Sequence, residues 1–230
     1  MKRSELNQIM KRAVSFIDEC NFKLPPFVTW TYEDWKDKNQ EYDEIKDCML
    51  GWDITDFGSG DYKKVGLLMI TLRNGSFYDK RYDKPYAEKL LIVEEGQVTP
   101  YHFHWKKQED IINRGGKGIL VLSLYNSGST GEMLDTPVTV HKDGRTYQIE
   151  AGSRVELHSG ESISLMMGQY HKFWGEGGKL LIGEVSRTND DNVDNRFFEK
   201  VGRFPEIEED EPILYPLFSE YPNMPLKAND

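Results

Sequence analysis

With 230 residues the chain can bury one sizeable core, and its length does not demand a second domain. Charged residues at 30% and aromatics at 12% describe a folded chain and exclude a disordered one. A formal charge of −10 weighs against nucleic acid or an anionic membrane as partner; no apolar run reaches membrane length, and the opening MKRSELNQ lacks the apolar centre of a signal peptide.

Residues 4–19 are predicted to form an amphipathic helix. Leu6, Ile9, Met10, Ala13, Val14 and Ile17 recur at three- and four-residue steps, with Ser4 as N-cap and Pro25-Pro26 as the stop. A shorter helix is expected to start at Thr31, with Glu33 and Asp34 in its first turn, and 37–47 reads as a solvated charged run. From about Met49 to Val185 the texture is that of many short strands. They are expected at 51–57, 66–72, 89–93, 98–105, 118–124, 138–141, 146–149, 154–157, 162–166 and 179–185, with tight turns at Asn74-Gly75, Asp143-Gly144 and Gly177-Gly178. Such spacing predicts an all-β antiparallel barrel or jelly roll. The expected organisation is one domain over 1–230: a helical extension 1–48, a barrel 49–185, and a C-terminal segment 186–230 that wraps the barrel or packs on a partner subunit. Cys20 and Cys48 fit neither a CxxC metal pattern nor a disulfide framework, so a reducing cytoplasm is the expected compartment.

The chemistry concentrates in GQVTPYHFHWKKQEDIINRGG, from Gly96 to Gly116. His102 and His104 sit two apart in a strand-like run, so both imidazoles point to one face. Glu109 follows after four residues, enough for a turn that returns a carboxylate to the same point. Downstream, GESISLMMGQYHKFWG places His171 in a second β-rich segment. Three imidazoles and one carboxylate suit a divalent ion such as Mn, Fe, Co, Ni or Zn. His141 and His158 stand outside any such constellation and read as solvated strand-end residues.

Both segments resemble the cupin motifs. The first fits G-x5-H-x-H-x4-E-x6-G at every fixed position. The second fits G-x5-P-x-G-x2-H-x3-N at Gly160, Gly168 and His171, with Met166 and Gly175 in place of proline and asparagine. Those two departures touch turn geometry rather than ligation. The resemblance implies a cupin-type jelly roll holding one metal on His102, His104, Glu109 and His171. Over nearly its full length the chain is also similar to the cupin-type D-lyxose isomerases. The likeness is carried by EKLLIVEEGQVTPYHFHWKKQEDIINRGG, MMGQYHKFWGE, and above all EVSRTNDDNVDNRF followed by RFPEIEEDE. It implies a divalent metal, usually Mn, reversible conversion of D-lyxose to D-xylulose, some activity on D-mannose and D-fructose, and a homodimer.

Isomerisation through an enediol needs a base to carry a proton between C1 and C2 of the sugar. The resemblance favours Glu206, with Glu184 at the end of a strand as competitor and Lys89 as a cation to neutralise developing charge. The alternative reading of Lys89 is a solvated strand-end lysine. Asp190, Asp194 and Arg196 could hold sugar hydroxyls, against an Asx-rich turn with a structural salt bridge. Trp105, Phe173 and Trp174 could wall a sugar ring, although core packing is the commoner fate of aromatics. An Fe(II) dioxygenase and a non-catalytic sugar-binding cupin share the same metal template. An isomerase of phosphorylated sugars would need an anion cradle, and no glycine-rich anion loop or basic patch flanks the motifs.

Overall fold

The computed structural model of the chain describes residues 1–202 and 206–222. Helix α1 spans Arg3–Glu19, followed by two single-turn helices, α2 at Tyr32–Lys36 and α3 at Asp43–Asp47. Fourteen strands follow: β1 Gly51–Thr55, β2 Leu67–Arg73, β3 Tyr86–Val93, β4 Val98–His104, β5 Glu109–Gly116, β6 Ile119–Ser127 and β7 Met133–Leu134. The rest are β8 Val138–Lys142, β9 Arg145–Ile149, β10 Arg154–Leu157, β11 Ser162–Leu165, β12 Gln169–Glu176, β13 Leu180–Arg187 and β14 Asn195–Phe197. They form two antiparallel sheets, ordered β1-β2-β3-β13-β5-β11-β8-β9 and β10-β6-β12-β4-β14. This is the expected all-β jelly roll of cupin type.

Around β1, β2 and β3 the larger sheet is buried on both faces, which is why β2 and β3 read as continuous apolar runs. Leu91, Ile111 and Ile182 turn inward to the core between the sheets. Trp52, Ile54, Leu68, Ile70 and Leu90 turn outward beneath α1, whose Leu6, Met10, Ala13 and Ile17 are fully buried against them. The helix is capped at Lys2, two residues before the predicted cap. Ser4 instead donates its N–H and hydroxyl to Asp210, at 2.9 and 2.8 Å. The stop comes at Asn21, well before Pro25. Asn21 takes φ 58°, its N–H reaches Asp18 O, and the Phe22 N–H reaches Ile17 O. This is the left-handed Asn close of a helix, and no proline is needed for it.

The C-terminal segment wraps the outside of the barrel. Leu217 bridges Trp52, the Tyr221 hydroxyl donates to Leu50 O at 2.7 Å, and Glu208 exchanges backbone hydrogen bonds with Met1 and Arg3. Residues 203–205 of the RFPEIEEDE stretch and the last eight residues of the tail lie outside the described residues. The run 37–47 contains α3 and still buries none of its helical residues. The Asn- and Asp-rich segment after β13 folds back and adds β14 to the edge beside β4, a strand the residue pattern did not announce.

Candidate active site

Strand alternation points His102 and His104 into the space between the sheets, as expected. His171 faces His102 as its direct partner in the β4–β12 ladder. The Nδ1 atoms of His102 and His171 lie 2.9 and 3.0 Å from the carbonyls of Pro100 and Gln169. A carbonyl only accepts, so each Nδ1 carries the proton and each Nε2 presents a lone pair. The ligand atoms of His102, His104 and His171 lie within 4.8 Å of one another. Glu109 opens β5 and sends Oε1 to 3.4 Å from His104 Nε2 and 3.2 Å from His171 Nε2. These contacts are within ion-pair reach, yet neither nitrogen makes a hydrogen bond; both are buried without one. Two ligands about 2.1 Å from one ion, at right angles, stand about 3 Å apart. The three imidazoles are therefore disposed so that they could hold one divalent ion, with the Glu109 carboxylate beside two of them.

The turn between β4 and β5 is held by Asp194, whose carboxylate accepts the Lys106 and Lys107 backbone N–H groups at 2.8 and 3.0 Å. That turn drives the Lys107 ammonium into the interior, where the residue is 2% exposed. Its Nζ reaches Glu109 Oε2 at 2.6 Å and Glu184 Oε1 at 2.7 Å. Lys89 stands 3.5 Å from the same Glu184 oxygen and 3.0 Å from Asp191. Charge thus alternates along Glu109–Lys107–Glu184–Lys89–Asp191. Burial pushes His102 well below its ordinary pKa and lowers His104, with neighbouring charges, Lys107 among them for His104, adding to the shift. Both shifts favour neutral His102 and His104, the form that binds metal. Burial opposes the charge on Glu109, but Lys107 and then His104 overrule it and hold the carboxyl well below the usual range.

These groups line one side of a cavity of about 270 Å³. Drug-sized ligands occupy clefts of roughly 300–1,000 Å³, so the space suits a smaller molecule. Lys89 and Glu184, predicted as catalytic, both line it, as cross-strand partners on β3 and β13. Glu206 does not. It is exposed, and its backbone carbonyl accepts the N-terminal ammonium at 2.7 Å.

The predicted sugar-binding set also moves. Asp190 caps its own turn through Asn192, and Asp194 holds the β4–β5 turn, so both carboxylates are spent on backbone and loop. Arg196 is exposed on the opposite side of β14 from Asn195 and Phe197. Trp174 points away from the cavity and donates Nε1–H to Glu176 at 2.7 Å, and Trp105 is 46% exposed against Phe103. Of the three aromatics only Phe173 lines the cavity. Lys107, Asp191, Thr99, Asn195 and Phe197, none singled out by the motifs, line it instead. Phe197 stacks on His102, with centroids 5.3 Å apart and planes at 28°. His141 is half-buried and in contact with Thr146, and His158 is exposed.

Residues 1–221 match the family described as D-lyxose isomerase. The D-lyxose/D-mannose isomerase of Serratia proteamaculans is 47% identical over 224 residues, covering 96% of this chain and 98% of that protein. That of Escherichia coli O157:H7 is 44% identical over the same share. Among solved structures, the L-ribose isomerase of Cellulomonas parahominis with L-ribose aligns with a TM-score of 0.59 and 17% identity, covering 90% of this chain and 98% of that one. The L-ribose isomerase of Geodermatophilus obscurus gives 0.59 and 15% over the same coverage, and at such identities the likeness is one of fold. By the end-to-end family match and the two relatives, the chain belongs to the D-lyxose isomerase family and is a sugar aldose–ketose isomerase.

Proposed function

We propose that this chain interconverts D-lyxose with D-xylulose, and D-mannose with D-fructose, using a divalent ion, Mn first and Co, Zn, Fe or Ni as alternatives, on His102, His104, Glu109 and His171. The observation that carries the reading is the meeting of two sets of groups in one cavity. Imidazoles with unpartnered buried nitrogens stand in the same cavity as a carboxylate, Glu184, flanked by two ammonium groups. When bound, the ion would supply electrophilic polarisation of the sugar carbonyl.

The protein's own groups do the rest. Glu184 takes the proton from C2 of the aldose and returns it to C1, while the O2 hydroxyl proton passes to O1; the net result is the ketose. Lys107 and Lys89 fix the Glu184 carboxylate from two sides and oppose the negative charge that builds on the sugar oxygens. Leu91, Ile111, Phe173 and Phe197 give the cavity apolar walls that keep water from the enediol. The two relatives whose names carry both lyxose and mannose support the choice of sugars.

The test is a panel of aldoses with metal-stripped protein, with and without added Mn, read as ketose formed. Ketose from D-lyxose only with the ion present is the expected result. No ketose from any aldose in the presence of any of the five ions overturns the reading. A homodimer and a cytoplasmic setting, implied by the resemblance, belong to the same proposal. Sedimentation as a monomer at micromolar concentration removes the dimer.

A further inference from the structure

Alternation along β4 brings His102 and His104 to the cavity, and by the same rule Thr99 should face the other way. It lines the cavity and is 1% exposed. The cause is a bulge. Between the pairs His102↔His171 and Thr99↔Phe173, β4 advances three residues while β12 advances two. The extra residue turns the strand over, so Thr99 shares the face of the histidines. Pro100 sits inside this irregularity, where it has no ladder N–H to lose.

The re-aimed side chain has nothing to bond. Thr99 Oγ1 is buried with no hydrogen-bond partner among the described residues, and so is Asn195 Oδ1. Leaving a buried polar group unpaired costs about 1–3 kcal/mol, which a valine or leucine of similar shape would avoid. The two atoms belong to one wall of the cavity, on β4 and its edge neighbour β14, opposite the wall that carries Lys89 and Glu184. Asn195 pairs with His104, beside the ligand cluster. Thr99 lies up to roughly 10 Å along the strand from His102 at about 3.3 Å per residue, out of reach of the reacting end.

We propose that Asn195 Oδ1 and Thr99 Oγ1 are hydroxyl-recognition points for the bound sugar. Asn195 accepts from a hydroxyl close to the reacting carbons, and Thr99 bonds the hydroxyl at the far end of the chain. The proposal rests on the cavity taking an aldose. It adds that the far-end hydroxyl is read by one threonine, and that a bulge at Pro100 exists in order to aim it.

The test compares D-lyxose with 5-deoxy-D-lyxose on the full-length Mn-loaded protein, and measures binding of D-arabinitol, the reduced sugar, by calorimetry. The native chain is expected to prefer D-lyxose by about tenfold or more in kcat/KM. Thr99→Val should lower that preference to near unity and weaken arabinitol binding by a similar factor, and Thr99→Ser should restore both. Asn195→Leu should weaken both sugars alike and leave their ratio native. Metal content stays unchanged in all three variants. A native chain indifferent to the 5-hydroxyl overturns the assignment without any variant. So does a Thr99→Val protein that keeps the native preference, which would make Thr99 a packing residue. A native protein that turns over D-lyxose while failing either comparison leaves the isomerase reading standing. One that neither isomerises nor binds any of these compounds removes both.

Discussion

His102 and His171 face each other across the β4–β12 ladder with ring centroids 4.1 Å apart, and each donates Nδ1–H to the carbonyl of the residue two positions before it. The rings cannot turn without losing those bonds, so both Nε2 lone pairs are fixed before any ion arrives. Partners of this kind typically matter 10–100-fold for metal affinity.

Metal should accordingly stabilise the fold as well as support activity. A ligand at one hundred times its Kd adds about 2.7 kcal/mol, which for a chain of this size is roughly 5–10 °C in Tm. Thermal denaturation of chelator-treated protein, with and without Mn, measures this. His171→Gln should abolish most of the shift and lower the bound metal found by elemental analysis. An unchanged shift in that variant would remove His171 from the ligand set.

Lys107 separates two buried carboxylates, Glu109 and Glu184, that it touches at 2.6 and 2.7 Å. Replacing it with methionine keeps the bulk, strips Glu109 of its ammonium partner and leaves Glu184 with Lys89 alone. Breaking a buried pair from one side costs about 3–5 kcal/mol, so the metal-free variant should melt roughly 10 °C lower. Adding Glu184→Gln to Lys107→Met should recover part of that loss, because one of the stranded charges is gone. Additive destabilisation in the double variant would contradict the pairing.

Acid should loosen the clasp between the two ends of the chain. Arg3 is buried and forms hydrogen bonds with both Glu209 and Glu220, and Ser4 bonds Asp210. Hydrogen bonding from Arg3 lowers Glu209 below its ordinary 4.5, and bonding from Ser4 lowers Asp210 below 3.8. Groups with depressed folded values stabilise above their unfolded pKa and lose that contribution as pH falls through the folded one. Amide exchange at Glu208, whose N–H bonds Met1 O, should therefore accelerate below about pH 4.5 relative to the barrel core. Arg3→Met should produce the same loosening at pH 7, at a cost of about 1.5–3 kcal/mol for hydrogen bonds to charged groups. Equal protection of Glu208 at both pH values would show that the clasp does not depend on these charges.

The shared direction of His102 and His104 was legible because strand geometry turns spacing into direction: two residues apart on β4 means one face, whatever the rest of the fold does. The α1 stripe was legible for the same reason at helical period. Thr99 was hidden because the bulge at Pro100 inverts the parity on which such a reading depends. In NDDNVDNRF a turn leads into β14, and nothing local says that Asp191, Asn192 and Asn195 line the cavity while Asp190 and Arg196 do not. That choice is made by where β14 docks on β4, a contact just over ninety positions away in the chain. Lys107 is one of two adjacent lysines in a turn, and Asp194, from the far end of the same long-range contact, decides that it goes inward.

Proton transfer separates two carboxylates that sequence resemblance alone ranked in the other order. Glu206 is exposed, beside the N-terminus. Glu184 is 4% exposed, lines the cavity, and shares it with the three histidines. A base must come within about 2.6–3.2 Å of the proton it takes, directly or through one water, and Glu184, not Glu206, is among the residues that line the cavity. Loss of such a group typically costs about 10²–10⁴-fold in rate. Glu184→Gln should lose kcat by that factor at nearly native KM, because glutamine keeps the shape and a hydrogen-bonding oxygen for Lys107. Bound Mn should be retained, since Glu184 is not among the ligands. Glu206→Gln should turn over D-lyxose within about twofold of the native rate. Deuterium exchange at C2 of the sugar gives a second reading independent of ketose yield: it should vanish in Glu184→Gln and persist in Glu206→Gln. The reverse pattern, with metal bound in both variants, would return the role to Glu206 and require the segment that carries it to reach the cavity when sugar binds.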